Sequence, residues 1–386
     1  MRLLITSNLD SNEPFGSFTR PFYLGKYLTQ HFEVCQLGLN CSAIDYAPSV
    51  SVNSRSFLSY IQAIQTCIDD FEPDIIYAQQ NLAGIASLFA LILKRPKKCS
   101  LVFDFHSVPA FEHWTLLSYV PNRAKQLARF LKAYIAQGSL ILANRSIVIA
   151  SESISELITQ WYRTKPQATY CVANGVTSDL LEISNNSTKF IDPYHKLRPA
   201  KIVLVIAPKV FGFPSNDLSV SMTLQVAKNL ETRGKGKDIH FVVIGRDGDG
   251  LEEPLPSNVT FTGFLPKRSD FLAHLVHADV GLLPFSQDAV AGGARNKALD
   301  YLACKTLVVS TPEGIRGLEE FRDHQHLLLS GYTVEEVANT VVDACTNREN
   351  YQSLVEEAYQ LIEAKYSWSA MAEKVAGILN KEKISE

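Results

Sequence analysis

The sequence predicts an α/β protein built as two doubly wound domains, and three observations carry that expectation. At 386 residues the chain exceeds what one hydrophobic core usually serves, so two domains of roughly 200 residues or fewer are expected. Apolar, β-rich runs alternate with helical stretches, the pattern of parallel strands joined by helical crossovers. The polar stretch ISNNSTKFIDPYHKLRPA (183–200) interrupts that alternation once and reads as a linker, after which the pattern restarts.

In the first half RLLIT (2–6), DIIYA (74–78), LVFDF (101–105) and SIVIA (146–150) read as core strands. LAGIASLFALIL (82–93) is too short to span a bilayer and reads as a buried helix. In the second half the strands are KIVLVIA (201–207), HFVVIG (240–245), VTFTG (259–263), DVGLLPF (279–285), TLVVS (306–310) and HLLLS (326–330). YSWSAMAEKVAGIL (366–379) reads as a last amphipathic helix. Two successive βα halves imply a cleft between domains, with ligands at the carboxyl ends of the strands beside helix N-termini.

Composition narrows the function. A formal charge of -3 argues against a dedicated nucleic-acid binder. The seven cysteines form no CxxC pair, as expected of reduced core thiols in a cytoplasmic protein. Met1 leads directly into RLLIT, which reads as the first core strand and not as a signal peptide. No DxD motif is present, and the pairs His274/His277 and His324/His326 lack a third ligand, so no metal is expected.

The most informative segment is GGARNKALDYLACKTLVVSTPEGIRGLE (292–319). A helix beginning near Asn296 turns Ala298, Leu299, Leu302 and Ala303 inward, and Gly292 and Gly293 permit close backbone approach to a ligand. Arg295 and Lys297 then stand at the positive end of the helix dipole, where a diphosphate fits without a metal. The alternative is a solvated basic helix start. Asp300, one turn on, is placed to accept ribose hydroxyls, which favours the nucleotide reading.

This segment resembles the donor-binding signature of GT-B glycosyltransferases of the retaining family 4 type, in the branch with an Arg-x-Lys pair ahead of the ribose-binding acid. VIGRDGDG (243–250), NVTFTGFLPKRSDFLAHLVHADVGLLPF (258–285), RSIVIASESISELI (145–158) and ATYCVANGVTSDLL (168–181) resemble that family in the same order. The resemblance implies two Rossmann-like domains. Residues 1–192 with the crossover helix 367–386 would form the acceptor-side domain, and 198–366 the nucleotide-sugar domain.

Residue by residue, the resemblance implies that Arg295 and Lys297 contact the donor diphosphate and Asp300 the ribose. Gly263, Phe264 and Leu265 would flank the nucleobase. Lys209, Arg246, Gly292, Gly293 and Ala294 are placed among the donor-binding residues. Many relatives carry a glutamate at the position of Gly292, so contacts to the transferred sugar are left unassigned here. In the first domain, FGSFTRPFYLGKYL (15–28) puts Gly16 and Ser17 before a helix, with Arg20 expected to point into the cleft; an ordinary βα turn with an exposed arginine is the alternative. DFHSVPAFEHW (104–114) sets Asp104 and His106 at a strand's carboxyl end. His106 is expected to bind a sugar hydroxyl, and Asp104, His106 or Glu112 would be the general base if the enzyme inverted configuration.

The expected reaction is transfer of a hexose from a nucleotide sugar, UDP-glucose favoured, to an acceptor hydroxyl with retention, needing no cofactor. A glycan or lipid-linked acceptor in bacterial exopolysaccharide or envelope synthesis is the expected setting. A sugar-nucleotide epimerase of the same architecture and a non-catalytic nucleotide-sugar-binding protein are the alternatives. PNRAKQLARFLKAYI (121–135) adds a membrane question: Lys125, Arg129 and Lys132 share one helix face, while Leu127, Phe130, Leu131 and Tyr134 share the other. That apolar face either packs on the first sheet or, with the cations, docks the protein peripherally on anionic lipids.

Overall fold

The computed structural model describes residues 1–11, 18–96, 98–118, 120–144, 146–163, 168–184, 189–209, 215–251, 254–287 and 295–384. Contacts divide the chain into one unit of Met1–Gly175 with Trp368–Glu386, and a second of Val176–Ser367. The first contains β1 (Arg2–Thr6), α1 (Thr19–Leu28), β2 (Glu33–Gly38), β3 (Ser49–Ser51), α2 (Phe57–Phe71), β4 (Ile75–Gln79), α3 (Asn81–Lys94), β5 (Ser100–Phe105), α4 (Pro109–Thr115), α5 (Arg123–Ala143), β6 (Ser146–Ile149), α6 (Glu152–Tyr162) and β7 (Ala168–Cys171). The second contains α7 (Ser178–Ser184), β8 (Lys201–Ile206), α8 (Ser215–Thr232), β9 (Ile239–Ile244), β10 (Val259–Phe261), α9 (Arg268–His277), β11 (Val280–Leu283), α10 (Asn296–Ala303), β12 (Leu307–Ser310), β13 (Leu328–Leu329), α11 (Val334–Thr346) and α12 (Gln352–Lys365). The last helix, α13 (Trp368–Ile384), belongs to the first unit.

The first sheet is parallel in the order β3-β2-β1-β4-β5-β6-β7. Its central strands are continuously apolar because both faces are covered. Leu24 and Leu28 of α1 with Met371, Val375 and Leu379 of α13 cover one face. Ile64 and Ile68 of α2, Ala83 and Ala86 of α3, and Leu140 and Ile141 of α5 cover the other. Trp368 anchors α13 by stacking on Tyr23 at 5.7 Å.

The second sheet is parallel in the order β10-β9-β8-β11-β12-β13. Val226 and Leu230 of α8 with Val337 and Val341 of α11 bury against Val205, Val243 and Leu282 of its strands. In both sheets the order reverses beside the first strand, between β1 and β4 and between β8 and β11, the arrangement that opens a ligand crevice at the strands' carboxyl ends.

Three expectations are corrected. The junction falls at Gly175–Val176 and not within 193–197, because the supposed linker is tied into the second unit. Asp179 of α7 pairs with Arg268 at 3.0 Å, Tyr194 is buried with its hydroxyl donating to the His274 carbonyl at 2.9 Å, and Arg198 pairs with Asp279 at 2.7 Å. Next, α3 is not buried all round, since Phe89, Ile92 and Leu93 are exposed. Finally, α5 packs only half of the apolar face read from the sequence: Phe130 lies 5.1 Å from Trp114 and Tyr134 stacks on Tyr162 at 4.8 Å. It buries Gln126, Ala133, Gln137, Leu140 and Ile141, while Leu127, Leu131 and Ile135 face solvent. Two glutamines can occupy the inner face because each finds partners: the Gln137 side-chain oxygen accepts from Ala110 N at 3.1 Å and Tyr162 Oη at 3.0 Å, and Gln126 Nε2 donates to the His113 carbonyl at 3.1 Å.

Candidate functional site

In the second unit β8 and β11 pair only at Val203↔Val280 and Leu204↔Gly281. Beyond that point Tyr301 of α10 takes up the β8 backbone, its hydroxyl donating to Leu204 O at 3.0 Å and accepting from Ile206 N at 2.9 Å. The ring needs the space left by Gly281, where a Cβ would come within 2.5 Å of it. These contacts fix α10 with its N-terminus at the carboxyl ends of the central strands, where the helix dipole favours an anion.

One turn earlier, Lys297 Nζ donates to Ile206 O at 2.6 Å and to Asn216 Oδ1 at 2.9 Å. Arg295 donates from Nε to Glu313 O at 3.2 Å, and its Nη2 has no hydrogen-bond partner among the described residues although the side chain is only 8% exposed. Phe285 lies beneath both cations, 3.6 Å from Arg295 Cζ and 5.0 Å from Lys297 Nζ. Burial pushes the Arg295 guanidinium down to about 10. It pushes Lys297 down to about 7, with Arg295 and Arg246 adding repulsion, and Asp300 up to about 6. Desolvated cations beside a helix N-terminus are prepared for a polyanion.

The remaining donor-site expectations meet varied outcomes. Gly263 adopts φ +71 and its carbonyl accepts from Gly245 N at 3.0 Å. Phe264 beside it is 68% exposed, an open aromatic face for a planar base, and Leu265 is half-buried. Arg246 is committed internally, donating to Ala207 O at 2.8 Å and Asp217 Oδ1 at 2.7 Å. Lys209 is exposed. Gly16, Ser17, Gly292, Gly293 and Ala294 lie outside the described residues.

In the first unit the structure corrects two assignments. Arg20 does not present its guanidinium outward: it is buried, donating from Nε to Asp104 Oδ2 at 2.9 Å and from Nη1 to Ala173 O at 3.0 Å. Asp104 is fully buried and also accepts from the Tyr77 hydroxyl, so it is a neutralised structural carboxylate and not an available base. Glu112 is buried in α4, a helix that packs along α5. His106 remains. Its Nε2 lies 3.9 Å from Asp104 Oδ2 without a hydrogen bond, and burial pushes the imidazole down to about 4. At neutral pH it is an uncharged group able to bind a hydroxyl and a weak base.

Of the four histidines weighed as metal ligands, three are structurally engaged and His324 is exposed. His274 Nδ1 bonds Tyr194 Oη at 2.9 Å, His277 Nε2 bonds Phe190 O at 2.9 Å, and His326 Nδ1 accepts from Arg322 N at 3.1 Å. Sequence reading missed Tyr301, Phe285, Asn216 and Glu313. Only the tyrosine offered a signal, its spacing four residues after Lys297 on the same helix.

Comparison with known proteins agrees with this geometry. Residues 210–347 match the family model described as glycosyl transferases group 1. No curated protein matches the chain in sequence. Among solved structures, sucrose-phosphate synthase from Thermosynechococcus elongatus is similar with a TM-score of 0.75 at 12% identity, covering 100% of this chain and 99% of that one. HepE of Anabaena in complex with UDP-glucose has a TM-score of 0.68 at 15% identity, covering 99% and 100%. WaaG, a glycosyltransferase involved in lipopolysaccharide biosynthesis, has a TM-score of 0.66 at 13% identity, covering 98% and 99%. The fold is that of the GT-B glycosyltransferase structures, and the group 1 match lies within the cation-bearing second unit.

Proposed function

We propose that this enzyme transfers a hexose from a UDP-sugar, UDP-glucose favoured, to an acceptor hydroxyl with net retention, in bacterial exopolysaccharide or envelope polysaccharide synthesis. The observation that carries the proposal is the set of Arg295, Lys297 and Asp300 held at the carboxyl ends of β8 and β11. Arg295 and Lys297 take the diphosphate, Asp300 the ribose and Phe264 the base. As the glycosidic bond breaks, charge grows on the leaving diphosphate, and the two buried cations stabilise it in place of a metal. His106, neutral and half-buried, binds a sugar hydroxyl. HepE, a fold relative, is solved with UDP-glucose, which supports that donor.

Retention is tested by donor hydrolysis. Incubation with UDP-glucose alone, followed by proton NMR, is expected to release α-glucose ahead of mutarotation. Initial release of β-glucose would instead show inversion.

A lipid-linked acceptor is supported by the surface of the first unit. Among the described residues nine of the eleven exposed large hydrophobics fall on α2 to α5: Leu58, Phe89, Ile92, Leu93, Trp114, Leu127, Leu131, Ile135 and Leu142. α5 adds Arg123, Lys125, Arg129 and Lys132 and contains no acid. No helix among the described residues is long and apolar enough to cross a membrane. Cations beside exposed leucines suit peripheral docking on anionic lipids at the inner face of the membrane. Flotation with phosphatidylglycerol-containing liposomes at low salt is expected to carry the protein upward, and Lys125→Glu with Arg129→Glu to abolish it. Absence of flotation by the wild type would refute the docking surface.

A further inference from the structure

The donor reading gives no task to one carboxylate beside the cations. Glu313 follows β12 in the short turn Pro312–Ile315 and is buried. Its Oε2 pairs with Arg316 at 2.8 Å, whereas its Oε1 stands 3.7 Å from Arg295 Nη2, beyond hydrogen-bond length. The turn cannot draw back: at Gly314 a Cβ would lie 2.3 Å from Ser310 Oγ and 2.6 Å from Leu283 O, so the backbone is pressed against the ends of β11 and β12. Burial raises the Glu313 carboxyl, and Arg316 and Arg295 work against that rise.

The gap between Oε1 and Nη2 matters. Nη2, without a hydrogen-bond partner among the described residues, is the Arg295 donor assigned to the diphosphate under the proposed function, on which this inference rests. An oxygen bound to Nη2 also meets the Glu313 carboxylate. A nucleoside diphosphate sugar brings an esterified terminal phosphate with one negative charge and neighbouring hydroxyl donors. The free nucleoside diphosphate brings a terminal phosphate with up to two. A fixed carboxylate accepts hydrogen bonds from the former and repels the additional charge of the latter.

We propose that Glu313 sets the preference of this site for the nucleoside diphosphate sugar over the free nucleoside diphosphate, favouring release of the spent product. A role confined to holding Arg295 in place predicts the opposite pattern, because loss of the carboxylate would then weaken both ligands together.

Titration calorimetry of the full chain with UDP and with UDP-glucose separates these cases. Glu313→Gln is expected to tighten UDP binding roughly tenfold while changing UDP-glucose by less than about threefold, and UDP becomes a stronger product inhibitor. Arg316→Ala, at a side chain 47% exposed and therefore tolerant, leaves the Glu313 charge less compensated and is expected to widen the preference for UDP-glucose. Equal weakening of both ligands in Glu313→Gln, or an unchanged ratio in both variants, overturns the assignment. A wild-type protein that binds neither nucleotide refutes the donor reading itself, before any variant is made.

Discussion

Arg295→Ala is expected to weaken UDP-glucose binding by about 1 to 3 kcal/mol, roughly 5- to 150-fold, because it removes a charge-assisted bond to phosphate. The structure gives reasons to expect a large effect. The guanidinium is nearly buried against Phe285 and its Nη2 has no hydrogen-bond partner among the described residues, so part of its hydrogen-bonding capacity is unused there. An exposed arginine would lose much of that gain to solvent and salt. Removal also leaves Glu313 with Arg316 alone, which adds repulsion toward the diphosphate. Calorimetry on the variant, with circular dichroism to verify folding, measures the loss; unchanged affinity would refute the site.

Lys297 should make donor binding depend on pH in a defined direction. Burial lowers its amine from an ordinary 10.5 to about 7, so the free enzyme sheds this proton as pH rises past neutrality. A diphosphate favours the ammonium and must recover the proton on binding. UDP-glucose affinity should therefore fall above pH 7, approaching about tenfold per pH unit while the bound lysine stays protonated. Stability of the free protein runs the other way. The unfolded chain holds the proton up to about 10.5 and the folded one only to about 7, so this residue's contribution improves across that window. In Lys297→Met both slopes should flatten. UDP-glucose is the proper probe, because its esterified diphosphate has no proton of its own to lose there. Affinity independent of pH between 7 and 9, with Lys297 present, would contradict the assignment.

Much of the architecture was legible because parallel strands covered on both faces are written as apolar runs. RLLIT, DIIYA and KIVLVIA lie at β1, β4 and β8 for that reason. EVCQLG and SVS escaped notice because Gln36 interrupts the first run and three residues are too few to show a period. The polar segment 183–200 misled in a different way: Tyr194 and Arg198 make long-range ties to His274, His277 and Asp279 that composition does not register.

In the site, α10 starts at Asn296 as the residue pattern indicated, with Ala298, Leu299, Leu302 and Ala303 turned inward. Its partners were not readable. Glu313 and Phe285 are 18 and 10 residues from Arg295 along the chain and meet it only through the order of β11 and β12. Arg20 and Asp104 were each reasonable as free groups when read alone. Their pairing across 84 residues neutralises both. The outward leucines of α5 were misplaced because two buried glutamines hold its inner face, and side-chain amides do not stand out in a hydrophobic pattern.

The most direct measurement is calorimetric titration of the wild type and Arg295→Ala with UDP-glucose, without added metal. Saturable binding by the wild type, weakened at least fivefold in the variant, is the result expected if α10 begins the donor site. No binding by the wild type, or equal binding by both proteins, would contradict it.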